Sequence, residues 1–138
     1  MTSTEVLVRQ LYGLRRVLRE IGGHALAELG GQGFMSLAAL SRRGPLRVSE
    51  VAAELGVDLS VASRQIAALT AEGYVERRTD PEDGRAQIVD LTPAGRKVLR
   101  DSHRRMVASF EEVLRDWSDT DIDALSAGLG RLRDDHAA

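Results

Sequence analysis

Apolar residues return every three or four positions along most of the chain, so the pattern predicts helices almost throughout. Leu7, Leu11, Leu14, Leu18, Ile21 and Ala25 step by four and three in alternation, a narrow seam suited to packing on another helix. Arg9, Arg15, Arg16, Arg19 and Glu20 fall elsewhere, so this first helix is amphipathic and wants a partner. Gly22 and Gly23 weaken it, and Gly30, Gly31 and Gly33 are expected to end it. Phe34 to Arg43 then reads as a short helix closed by Gly44 and Pro45. Leu46, Arg47 and Val48 form a small strand in this reading. Ser49 is the expected N-cap of a helix that runs to Leu55.

Gly56 then supplies a tight turn. A helix from Leu59 to Glu72 follows, with Asp58 as its N-cap and Gly73 as its left-handed stop. Tyr74 to Arg78 and Arg85 to Leu91 are strand-like, joined by a Pro- and Gly-containing acidic turn from Thr79 to Gly84. Thr92 as N-cap and Pro93 at the first helical position open a long helix. Its apolar positions are Ala94, Val98, Leu99, Met106, Phe110, Val113, Leu114 and Trp117. Ser118 and Asp121 resemble a capping box that starts a last helix carrying Ile122, Leu125, Leu129 and Leu132.

Two helices joined by a short glycine turn, followed by a hairpin, are the arrangement of a winged helix-turn-helix, whose second helix can enter a DNA major groove. The residues of that second helix give the reading chemical content. Ala62, Ile66 and Leu69 share one side, while Ser60, Arg64, Ala67 and Ala71 occupy the other, flanked by Val61, Ser63 and Ala68. Small residues let a helix approach a groove closely. Arg64 suits a guanine edge or a phosphate, and Ser60 and Ser63 suit phosphates. The plainer reading is a solvated helix face in a small bundle.

Composition narrows the classes. At 138 residues, 43% of them hydrophobic and 4% aromatic, the chain fits one unit with a core of Leu, Val and Ala. The chain contains no cysteine, which excludes disulfides, thiol sensing, a cysteine nucleophile and thiolate metal sites. No apolar run approaches membrane-spanning length and the N-terminus carries no secretory signal, so a cytoplasmic protein is expected. The net charge of −2 argues against a sequence-blind nucleic-acid coat. Its distribution is uneven: Arg42 to Arg105 carries 12 Lys+Arg against 10 Asp+Glu, and the rest carries 7 against 11. Positive charge therefore gathers modestly around the proposed reader. The long terminal helices have more apolar face than a reader of this size can cover, so they are expected to pack on each other and on a second copy.

Arg85 lies just past the hairpin tip, where an arginine can enter a narrow minor groove. Asp83 stands two residues earlier, placed to orient that guanidinium through an ion-paired hydrogen bond; a loop-steadying surface pair is the plainer reading. From about Leu11 onward the chain resembles the multiple-antibiotic-resistance regulator (MarR) family. The resemblance rests on Gly56-Val57 with Ala62-Ser63-Arg64, on Glu72-Gly73-Tyr74-Val75-Glu76-Arg77, and on Asp80-Pro81-Glu82-Asp83-Gly84-Arg85 followed by Leu91-Thr92-Pro93-Ala94-Gly95. It implies a mostly α fold with a small β wing, in which residues 34–91 form the winged helix-turn-helix. Residues 5–29 and 93–135 would be helices of a dimerisation base, all within one domain spanning 1–138.

The resemblance also implies a homodimer that binds double-stranded DNA at a palindromic operator and regulates transcription, usually as a repressor. A small lipophilic or phenolic effector usually relieves that binding. Carried over by position, Ser60, Val61, Ser63 and Arg64 would meet the major groove or phosphates. Arg85 would be the minor-groove residue with Asp83 as its support, and Arg77 and Arg78 would join the DNA-facing set. Two departures stand out: Gly30-Gly31-Gln32-Gly33 replaces a more apolar, proline-containing link, and the first helix is short for the family. Both fall beside the cleft where family members hold effectors, and no residue is assigned to effector binding.

Other constellations carry less. His24, His103 and His136 do not share a metal-pair spacing, and no cofactor or metal is expected. Asp119, Asp121 and Asp123 suit a helix N-terminus better than a cation. Arg104 and Arg105 fit a solvated helix face before a phosphate contact. Tyr12, Phe34, Met35, Met106, Phe110 and Trp117 fit ordinary core before an effector cavity. No nucleophile elbow, phosphate loop or carboxylate pair supports an enzyme. The main competing reading is a winged-helix protein-interaction module, for which the reader face should hold anchoring aromatics that it lacks.

Overall fold

The computed structural model describes residues 1–138, the side chain of His24 excepted. Six helices and three short strands follow in the order α1 (Ser3–Ala25), α2 (Gly30–Arg43), β1 (Leu46–Arg47), α3 (Val48–Leu55), α4 (Leu59–Ala71), β2 (Val75–Thr79), β3 (Gln87–Leu91), α5 (Pro93–Val113) and α6 (Asp119–Ala137). The fold is mostly α with a small antiparallel sheet of order β1-β3-β2. Val75 lies opposite Leu91 and Arg77 opposite Val89, while Leu46 pairs with Val89 from the other edge. The inner face of the sheet thereby delivers Leu46, Val75, Val89 and Leu91 to one core with Leu37, Leu40, Val51, Ile66 and Leu69.

Several boundaries differ from expectation. Gly30, Gly31 and Gly33 lie in the first turn of α2 rather than ending α1, which already stops at Ala25. Gly30 adopts φ +69°, and its N–H donates to the Leu26 carbonyl at 2.6 Å, so the bend between α1 and α2 needs glycine at that position. Arg47, not Ser49, is the N-cap of α3, and its own N–H donates to the Glu50 carboxylate at 3.0 Å. Asp58 does sit at the N-cap of α4, but its side chain makes no capping hydrogen bond. Gly73 is left-handed at φ +79°. β3 begins at Gln87, so Arg85 belongs to the turn rather than to a strand.

The start of α5 matches its sequence signals. The Thr92 hydroxyl accepts from the Gly95 N–H at 3.0 Å and donates to the Gly73 carbonyl at 2.6 Å, with Pro93 in the first turn. One side chain thus caps α5 and ties it to the end of α4. Trp117 lies beyond the end of α5, in the turn before α6, and is 45% exposed. Ser118 and Asp121 form the expected reciprocal cap. No residue of α6 is buried. Among the described residues no helix is long and apolar enough to cross a membrane.

Candidate nucleic-acid interface

The turn that aims α4 is built from backbone. Gly56 takes φ +66°, and the Val57 N–H reaches back to the Ala52 carbonyl at 3.1 Å. A side chain at Gly56 would oppose that left-handed conformation. α4 then presses Ala62, Ile66 and Leu69 into the core. With that stripe fixed, Ser60, Arg64, Ala67, Ala68 and Ala71 are exposed, while Val61 and Ser63 are half-buried at the flanks. Ser60 and Arg64 stand open on the outward face, with Val61 and Ser63 at its edges.

The wing gathers the other candidates on the neighbouring hairpin. Arg77 and Arg85 are exposed, and neither has an ion-pair partner within reach among the described residues. Arg78 lies 3.5 Å from Asp90 across the β2–β3 ladder. Asp83 does not grip the Arg85 guanidinium; its carboxylate accepts the backbone N–H of Arg85 at 3.0 Å. Its place in the loop is that of an Asx turn, which shapes the backbone that carries Arg85 and leaves the guanidinium free.

Sequence reasoning missed two ion-paired carboxylates that hold this assembly. Glu54 on α3 receives both Arg43 and Arg42 from the end of α2. The Arg43 contact, with Arg42 behind it, holds the Glu54 carboxyl below its ordinary range against the opposing effect of burial. Asp80, almost fully buried, accepts from the Glu82 N–H at 2.9 Å and from Arg47 at 2.7 and 3.0 Å. The Glu82 amide first and Arg47 second hold the Asp80 carboxyl low, and the same carboxylate raises Arg47. Both pairs join residues distant in sequence. Asp80 was visible in the sequence as the first residue of the turn motif Asp80-Pro81-Glu82-Asp83-Gly84-Arg85, without its partner.

Arg105 is exposed but tethered. Its Nε donates to the Ala25 carbonyl at 3.2 Å, its Nη2 reaches the Ser102 hydroxyl at 3.2 Å, and Glu28 lies 3.7 Å away. It therefore caps the C-terminal end of α1. Arg104 stands 3.9 Å from Asp101.

The aromatic and methionine residues expected in the core are mostly elsewhere. Tyr12 is 70% exposed and Met35 54%. Phe34 is half-buried against the core. Phe34, Met35, Met106 and Phe110 instead line an apolar cavity of about 600 Å³ at the bend between α1 and α2, beside α5. Gly22, Gly23, Gly30 and Gly31 form part of its wall, with Arg19 as its one charged neighbour. A Cβ at Gly22 would come within 3.2 Å of the Met106 methyl that lines the space. Among the described residues no three His, Asp or Glu side chains come together as a cation site, and His24 lies outside them.

A family model, MarR_2 (MarR family), matches residues 29–86. An uncharacterized HTH-type transcriptional regulator, YxaD of Bacillus subtilis, is 32% identical over 99 residues, covering 72% of this chain and 69% of that protein. The chain belongs to the MarR family. It is thus a MarR-family transcriptional regulator by descent. A MarR family protein from Bacillus stearothermophilus shares the fold at TM-score 0.86, with 20% identity over 100% of this chain and 99% of that one. A mutant E. coli MarR complexed with operator DNA shares it at TM-score 0.76, with 22% identity over 91% of this chain and 92% of that one.

Proposed function

We propose that this MarR-family chain regulates transcription, in the sense of a repressor, by binding a palindromic DNA operator as a homodimer. The observation that carries the reading is the outward face of α4: an exposed arginine and serine among alanines, with Ala62, Ile66 and Leu69 fixed behind them. Arg64 and Ser60, with Ser63 beside them, meet base edges and phosphates in the major groove, and Arg85 enters the minor groove from the wing. Arg77 and Arg78 add phosphate contacts. A fold relative solved on operator DNA supports this placement.

Two copies are part of the proposal. α6 buries none of its residues, and Leu125, Leu129 and Leu132 are 48%, 42% and 44% exposed. On α1, Leu7, Leu14 and Leu18 are likewise open. A second copy that covers both faces sets two α4 helices about one DNA turn apart, roughly 34 Å. The apolar cavity beside the α1–α2 bend is the place for a small lipophilic or phenolic effector, whose binding would change that separation and release DNA. The reading assigns no catalytic role and places the protein with the chromosome in the cytoplasm.

The test is selection of sites from a random DNA pool with purified protein, followed by gel-shift titration. A palindrome is expected, and Arg64→Ala should weaken binding to it by about 1–3 kcal/mol per half-site. Arg85→Ala should weaken it less, with base preference kept. If both variants bind as wild type does, or if affinity is flat with salt, the DNA assignment fails in favour of a protein-docking module.

A further inference from the structure

The wing beyond the sheet has almost no apolar anchor. Between Thr79 and Val89 the one buried residue is Asp80, at 7% exposure. Its carboxylate organises the loop: Oδ1 accepts the Glu82 N–H, and Oδ2 accepts both Nε and Nη2 of Arg47, 33 residues away in sequence. The Asp80 N–H donates to the Ala86 carbonyl at 3.0 Å and closes the mouth of the loop. Arg47 is itself fixed, since it ends β1 opposite Ile88 and caps α3 through Glu50. One guanidinium therefore joins the wing loop to the first helix of the helix-turn-helix. The Asp83 contact is internal to the loop and makes no such link.

We propose that Arg47 and Asp80 are a positioning pair that sets the reach of Arg85 relative to α4; this rests on the DNA-binding reading above. A two-stranded ribbon twists and bends readily on its own. A charge-assisted contact made through two nitrogens fixes both its distance and its orientation. Arg47 acts through Arg85 and is not itself a phosphate contact, because Asp80 engages its charge.

This role has a distinctive sign. Removing a carboxylate beside a polyanion strengthens binding if only charge matters. Positioning gives the opposite result. Asp80→Ala should weaken operator binding on the order of tenfold, although the chain becomes more positive. Asp80→Asn, which keeps an acceptor for the Glu82 amide, should fall between it and wild type. Asp80→Ala combined with Arg85→Ala should bind no worse than Arg85→Ala alone, whereas combined with Arg64→Ala the losses should multiply.

The experiment is a set of anisotropy titrations of the full chain on its selected operator, with circular dichroism melts to check each fold. Wild-type binding and its loss in Arg64→Ala test the DNA reading by themselves. If the wild type ignores DNA, both readings fall. If those two results hold, the positioning role is overturned by Asp80→Ala binding as tightly as wild type or tighter, or by its loss multiplying with that of Arg85→Ala. Should Asp80→Ala not fold, Asp80→Asn carries the same cycle with Arg85→Ala.

Discussion

The reader and the terminal helices spend their apolar residues in opposite ways. From Leu46 to Leu91 the aliphatic side chains converge inward, and Val51, Ile66 and Val89 reach 0% exposure. What remains outside is small, polar or charged, apart from Leu59 at the start of α4, which is 56% exposed. In α6 no residue is buried, and α1 leaves Val6, Leu7, Val8, Leu14, Val17 and Leu18 substantially open. The reader is a completed fold with a surface made for a polar ligand. In the dimer proposed above, the terminal helices supply one side of an apolar contact and a second copy the other, since exposed leucines at helical spacing gain nothing in water.

That contrast predicts different failures. The largest effect is expected from the base. Leu125→Asp with Leu129→Asp should leave helicity intact but give a single subunit by sedimentation, and operator affinity should fall by about 10²–10⁴-fold as the two sites lose their linkage. An unchanged dimer would end the contrast. Next, Ile66→Ala in the reader should destabilise the fold by about 2–5 kcal/mol in denaturant titrations, through lost burial and the cavity left behind.

A smaller effect is expected at the joint between the regions. A Cβ at Gly95 would collide with the Tyr74 carbonyl, which is backbone and cannot rotate away. Gly95→Ala should therefore cost about 1–3 kcal/mol and tilt α5 against the wing, read by melting and by operator affinity together. The smallest effect concerns pH. Asp80 is held below the ordinary carboxylate value by the Glu82 amide and by Arg47. Its contribution is then complete above the ordinary carboxylate range and is lost as pH falls through and below that range. Asp80→Asn should flatten this acid-side loss in melts taken at stepped pH; an unchanged slope would remove Asp80 from the acid response.

Helical faces were legible because their signal is local and repeated. Ala62, Ile66 and Leu69 at helical spacing define which side of α4 is inward, so the open positions of Ser60 and Arg64 follow without coordinates. Thr92-Pro93 and Ser118 with Asp121 were equally readable, since a cap involves residues three apart. The errors fall where a local signal competes with a distant partner. Ser49 has the better N-cap chemistry, yet β1 pairing with Val89 and Ile88 ends at Arg47, and α3 starts at Val48, ahead of Ser49. Asp83 is nearer to Arg85 in sequence, but the carboxylate that ties the wing to the reader is Asp80.

By itself the sequence determined the order of elements, the inward stripe of α4 and the family motif, because these depend on residues within about two helical turns of one another. Only the tertiary structure decided which carboxylate anchors the wing, where Arg105 binds, and that Phe34, Met35, Met106 and Phe110 surround a space rather than fill one. Those outcomes depend on where α1, α2 and α5 cross and on how far β1 lies from the wing loop. Such distances are set by the whole packing and leave no period in the chain to read.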